Sequence, residues 1–233
     1  MRIFSYHLAT TTPATSLRVF ARPPCGGRIA GLHHAECMSA MKLGAPILSP
    51  ARLQLRKLAV FACWEEESAL DEFLENSELG RILSTGWHLR LELLRRWGRF
   101  PEFDDPPAEP DELDASHPVV AVTVARLKLP QVLRFTRWGR PVEEQVRDHP
   151  ETTLALAAFR PPRTFSTFSI WKSQQAMTAM VHGRGEGPGA RRHAEAMVER
   201  TRQDFHRQFT TLRFRARSEQ GEWLGRGGFV PNG

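Results

Sequence analysis

The chain writes one strand-to-helix joint twice. Residues Phe61–Leu70 read FACWEEESAL, and residues Phe168–Met177 read FSIWKSQQAM, at an offset of 107. Phe61 falls on Phe168, Trp64 on Trp171, Ala69 on Ala176 and Leu70 on Met177, and further along Phe73 and Leu74 fall on Met180 and Val181. The match resumes at an offset of 118, with Trp87-His88 on Phe205-His206, Leu91 on Phe209 and Leu94 on Leu212. The additional residues fall in and around Gly183–His193. Such a repeat restricts the fold more than any local propensity does. A four-stranded sheet with helices on one face leaves its other face apolar and bare, and two such sheets can cover each other and enclose a barrel.

The boundary between the copies is compositional. Pro101–Pro118 (PEFDDPPAEPDELDASHP) holds five prolines and seven acidic residues, which can continue neither a helix nor a ladder. The expected organisation is a first ferredoxin-like repeat over 1–100, an acidic linker over 101–118, a second repeat over 119–223 and a flexible tail over 224–233. In the first half the pattern predicts strands at Ile3–Thr10 and Leu53–Trp64, a helix at Glu66–Leu83 and a closing strand at Trp87–Leu94. In the second it predicts strands at Val119–Leu127, Thr153–Phe159 and Thr164–Trp171. A helix at Leu129–Arg147 should be kinked or divided at Gly139 and Pro141. A further helix is interrupted by the loop Gly183–Gly189 and resumes through Arg191–Gln208. The last strand alternates Leu212, Phe214 and Ala216 with arginines. The fold class is therefore α+β, with tandem ferredoxin-like repeats forming a dimeric α+β barrel within one chain.

Net charge is uneven. Residues 1–117 carry 13 basic and 16 acidic groups, and residues 118–233 carry 19 and 10. A basic half suits nucleic acid or an anionic membrane surface, but no helix-turn-helix, zinc-finger or RNA-binding signature accompanies it, so nucleic acid is not an expected partner. Peripheral membrane contact remains open, with Arg213, Arg215 and Arg217 on the outer side of the last strand and Arg184 in the glycine loop as the candidate contacts. Three cysteines (Cys25, Cys37 and Cys63) at irregular spacing do not form a disulfide framework. His33 and Cys37 raise a metal question, but a packed or solvated strand is the better reading. The N-terminal residues have no apolar core of a targeting segment, which reads as a cytoplasmic protein.

Several stretches together resemble the spheroidene monooxygenase-like family, the carotenoid 2-ketolase group. They are HHAECMSAMKLGAPILSPARLQLRKLAVFACW, the helix ALDEFL with GWHLRLELLRRWGRF, and FSIWKSQQAMTAM followed by the basic residues of Arg200–Gln203. The loop VHGRGEGPGARRH departs from the shorter connection of that family. The resemblance implies a dimeric α+β barrel and haem-dependent oxygenation of a long apolar, carotenoid-like polyene, with dioxygen as cosubstrate and an electron donor as partner.

The chemistry of the residues is compatible with that. Dioxygen and a closed-shell hydrocarbon do not react directly at useful rates, so a cofactor is required. The sequence has no GxGxxG after a strand, no Walker loop and no HExxH. Haem needs one axial ligand, an apolar slot and cations for its propionates. His193 is the first candidate for the axial ligand, with Arg191 and Arg192 for the propionates. His206 is second, His182 third, and Trp171 is a candidate pocket lining. No catalytic residue is singled out. A second class stays open: a non-enzymatic or cofactor-free barrel that binds a small apolar ligand. A homodimer is compatible with either.

Overall fold

The computed structural model describes residues 2–46, 49–103, 114–184 and 189–231. Eight strands form one closed antiparallel barrel, ordered β1-β3-β2-β6-β7-β5-β8-β4. The first half supplies β1 (Ile3–Thr10), β2 (Leu32–Met41), β3 (Lys57–Trp64) and β4 (Trp87–Arg99). The second supplies β5 (Val119–Leu127), β6 (Thr152–Arg160), β7 (Thr164–Trp171) and β8 (His206–Gln220). The spatial order is β4-β1-β3-β2 in the first half and β8-β5-β7-β6 in the second. The halves are joined edge to edge: β4 pairs with β8 from His88↔Gln220 to Arg99↔Phe209, and β2 with β6 at Ser39↔Phe159 to Met41↔Ala157. The two sheets are therefore one continuous ladder, which leaves no unpaired edge.

Helices cover the outside. The first half carries α1 (Pro13–Ala21), α2 (Glu67–Asn76) and α3 (Glu78–Ser84), and the second α4 (Val132–Arg147), α5 (Gln174–Val181) and α6 (Arg192–Arg202). α1 had no counterpart in the sequence reading, although Thr12 caps it by accepting from the N–H of Thr15 and Pro13 opens it. The helix expected at Glu66–Leu83 is two helices. Ser77 ends α2 and caps α3, its Oγ accepting from the N–H of Gly80 at 2.8 Å. α4, in contrast, runs undivided through Gly139 and Pro141. No helix among the described residues is long and apolar enough to cross a membrane.

An eight-stranded barrel is just wide enough for side chains to fill it. Phe4, Tyr6, Leu8, Phe61, Trp87, Phe168 and Phe214 do so from the strands. Two expectations about the flanking segments are corrected here. Phe103, within the expected linker, is fully buried with Phe100 and packs against Phe61 at 4.8 Å between ring centres. An aromatic ring in an otherwise polar stretch has nowhere better to go than the barrel's open end. The expected flexible tail closes the other end: Phe229 is buried against Trp87, and Glu219 accepts the N–H groups of Phe229 and Val230 at 2.9 and 2.8 Å. Residues 104–113, 185–188 and 232–233 of the linker, loop and tail lie outside the described residues.

Candidate functional site

The two helix–sheet interfaces differ in what lines the sheet. In the first half the outward positions of β3 are Leu58, Val60, Ala62 and Trp64, which meet Val19, Leu70, Phe73, Leu74 and Leu83 in one continuous cluster. In the second half the outward row of β5 is Ala121, Thr123 and Ala125, and β7 adds Thr167 and Ser169. These short side chains do not reach the helices. Apolar packing there splits into two clusters, one around Leu127 and Phe165 and one around Trp171, Met177 and Met180. Between them lies a cavity of about 450 Å³, outside the barrel and beneath α4, α5 and α6, within the size range of pockets for small molecules and cofactors.

The middle of its floor carries hydroxyls rather than charges. Thr123 and Thr211 share a hydroxyl–hydroxyl hydrogen bond of 3.2 Å, and Ser169 Oγ accepts from Trp171 Nε1 at 2.8 Å. Its walls are Phe135, Trp138, Met177, Met180 and Met197. Glu143 also borders it, but its carboxylate accepts from Arg52 at 2.8 Å and from the N–H of Gly44 at 2.9 Å. It is therefore committed to holding the loop after β2.

His193, His206 and His182 all line the cavity. His193 stands in the first turn of α6, a turn held by α4: Gln145 Oε1 accepts the His193 backbone N–H at 3.1 Å, while Gln145 Nε2 donates to Ala190 O at 2.9 Å. His193 Nδ1 lies 3.0 Å from Val181 O. A carbonyl only accepts, so Nδ1 carries the hydrogen and Nε2 keeps the lone pair. Burial lowers the His193 pKa, the Val181 bond opposes that and His182 adds to it, so the ring is neutral at neutral pH. A neutral imidazole fixed through one nitrogen is the form that ligates a metal.

His206 is the first residue of β8 rather than part of a helix, because α6 ends at Arg202. Its Nδ1 donates to Asp204 at 2.9 Å, and the rings of Phe135, Phe205 and Phe209 stand 5.6, 5.8 and 4.8 Å from it. Burial lowers its pKa, against the pull of Asp204. His88, which the sequence comparison aligned with it, does not line the cavity and stacks on His7 at 5.2 Å in the first half.

Arg191 and Arg192 do not border the cavity. Arg191 is the N-cap of α6, and Arg192 reaches back to Pro141 O and Glu144, each at 3.5 Å. The cations that border it are Arg200 and Arg213. Arg200 lies over the Phe209 ring at 3.7 Å and Arg213 over Trp97 at 4.4 Å. Burial, then the neighbouring Arg95, lowers the Arg213 pKa, and no carboxylate pairs with it among the described residues. Trp171 lines the cavity. His33 and Cys37 lie on β2, and no cluster of metal-ligating side chains occurs among the described residues. The sequence offered Arg213 for membrane contact and quoted Arg200 among basic residues, but it assigned neither to the cavity, because only the packing of α6 and β8 against β5 and β7 brings them to its border. The alternation Ala121-Thr123-Ala125 was the available sign of a gap.

No family model matches the sequence, and no curated protein matches it. Solved structures do. A candidate monooxygenase from Lactobacillus acidophilus is 10% identical, with 94% of this chain and 96% of that one covered at a TM-score of 0.38. A second candidate monooxygenase, from Fusobacterium nucleatum, is 8% identical over 94% of each chain at 0.40. An anthrone oxidase-like protein is 14% identical over 94% and 92% at 0.34. Similarity this slight says nothing of chemistry, which rests on the cavity's own side chains.

Proposed function

We propose that the protein is a haem-dependent monooxygenase of the spheroidene monooxygenase-like kind, built from tandem ferredoxin-like repeats, and that it oxidises an apolar, carotenoid-like substrate. The observation that carries this is His193, a neutral imidazole anchored through Nδ1 at the edge of an apolar cavity. The residues fit the group. His193 Nε2 would hold the iron, Arg200 and Arg213 would supply cations for the propionates, and Phe135, Trp138, Met177 and Met180 would supply the apolar surroundings. Haem, when bound, supplies the dioxygen activation that no side chain in the cavity can.

The chain's own residues do the rest. The apolar walls orient a hydrocarbon and exclude water. Thr123 and Thr211 satisfy each other, so the floor offers an apolar substrate little competing polarity. His206 holds a proton acceptor at Nε2, and Asp204, exposed on its outer side, connects that ring to solvent.

Haem titration followed at the Soret band tests this. Wild type should bind stoichiometrically, His193→Ala should lose affinity by about a hundredfold with unchanged circular dichroism, and His206→Ala should keep the band. Loss in His206→Ala with a normal band in His193→Ala would transfer the ligand role to His206. No binding by wild type would leave a cofactor-free apolar-ligand protein.

A further inference from the structure

Five of the eight exposed large apolar side chains among the described residues stand on two adjacent helices or at their ends: Leu129, Leu133, Trp138, Met197 and Val198. Leu133 is 69% and Val198 72% exposed. They are brought together because Arg134, next to Leu133, donates to Glu199, next to Val198, which staples α4 to α6. Trp138 and Met197 are each about a third exposed and also line the cavity, so this patch continues into the cavity's wall. Scattered exposed apolar residues need no explanation, but a cluster at the mouth of an apolar cavity does.

The charge around the patch is mostly positive. Glu143, Glu144 and Glu199 are occupied by Arg52, Arg192 and Arg134. Arg137 and Arg202 stay exposed on α4 and α6, Arg202 within 4.0 Å of Glu199, and Arg207 is exposed at the start of β8; of the exposed acids, Asp204 faces Arg200 and His206, and Glu195 stands on α6. Three of the four arginines that the sequence suggested for membrane contact are engaged elsewhere: Arg213 borders the cavity, and Arg215 and Arg217 face Glu92 at 3.7 and 3.3 Å, while Arg184 is exposed.

From this we infer that the α4–α6 face docks on the surface of an anionic lipid bilayer, apolar side chains in the headgroup boundary and arginines on the phosphates, with the cavity mouth turned toward the acyl chains. Apolar anchors flanked by cations are the combination that holds an interfacial helix, and neither component suffices alone. The inference does not depend on what the cavity holds, so it can fail while haem binding stands.

The test is co-sedimentation of the full chain with phosphatidylcholine vesicles, with and without phosphatidylserine, at low and high salt. Binding should require phosphatidylserine, weaken with salt, and fall at least about tenfold in Leu133→Asp/Val198→Asp, while Leu17→Asp on the opposite half behaves as wild type. Brominated lipid should quench tryptophan fluorescence in wild type and less so in Trp138→Phe, a readout that needs no charged variant. Absence of binding to anionic vesicles at low salt overturns the inference, as does equal binding by Leu133→Asp/Val198→Asp. Concentration-dependent self-association abolished by the same pair, without vesicle binding, overturns it in favour of a second copy of the chain.

Discussion

The Glu36 side chain is wholly removed from solvent and yet stays ionised. Burial alone would raise its pKa, but a hydrogen bond with His34 at 3.1 Å and the charge of Arg160 at 2.5 Å outweigh it and hold it at about 2. Arg126 adds a contact at 3.1 Å and lies over the Phe100 ring at 4.4 Å, so the cluster seals the barrel end that Phe100 and Phe103 fill. A carboxylate with a depressed folded-state pKa stabilises above its unfolded value and loses that contribution as pH falls toward the folded one. Glu36 should therefore contribute about 3 kcal/mol at neutral pH, lost between about pH 4.5 and 2. Glu36→Gln should cost a similar amount and flatten that acid limb, as read from denaturant melts across the range; an unchanged limb would mean other carboxylates govern it. The sequence placed HHAEC on a strand but was silent about the cluster, because Arg126 and Arg160 come from the other half of the chain and such pairing leaves no local pattern.

At the scale of elements, the break between α2 and α3 shows where periodicity misleads. Ala69, Leu70, Phe73, Leu74, Leu79 and Leu83 form one apolar stripe, which reads as a single helix. The stripe records burial against the sheet and is blind to a bend that keeps the same face inward. Gly80 makes the bend tight: a Cβ there would lie 1.9 Å from Phe73 O. Gly80→Ala should destabilise despite alanine's better helix propensity, and Ser77→Ala should cost about 1 kcal/mol through loss of the cap. Thermal melts of both check this; a stabilised Gly80→Ala would show that the helices can straighten. β1, β5 and β7 were legible to the residue, since uninterrupted apolar or alternating runs ended at clear turn signals. α1 was not, because a threonine-rich approach masked a helix of nine residues.

For the whole molecule, closure of the barrel depends on segments that composition marked as dispensable. Phe229→Ala should cost about 3 kcal/mol, as expected for a buried aromatic at a packed barrel end, and denaturant unfolding measures it directly; an unaltered midpoint would restore the flexible tail. The same whole-molecule view explains why the strand plan was readable and the site was not. The strands show in local runs, as at β1, β5 and β7. The cavity comes from what is missing, side chains on β5 and β7 long enough to reach the helices, and it appears only when the two interfaces are set side by side. The central claim is that this unfilled interface is the functional site. The most direct measurement is haem affinity in Thr123→Phe, which puts a ring into the cavity from the middle of its floor. The account predicts a fold as stable as wild type, or more so, with haem affinity reduced at least about a hundredfold. A Thr123→Phe protein that is folded and binds haem as wild type does would contradict it, because the ligand would then have to lie elsewhere.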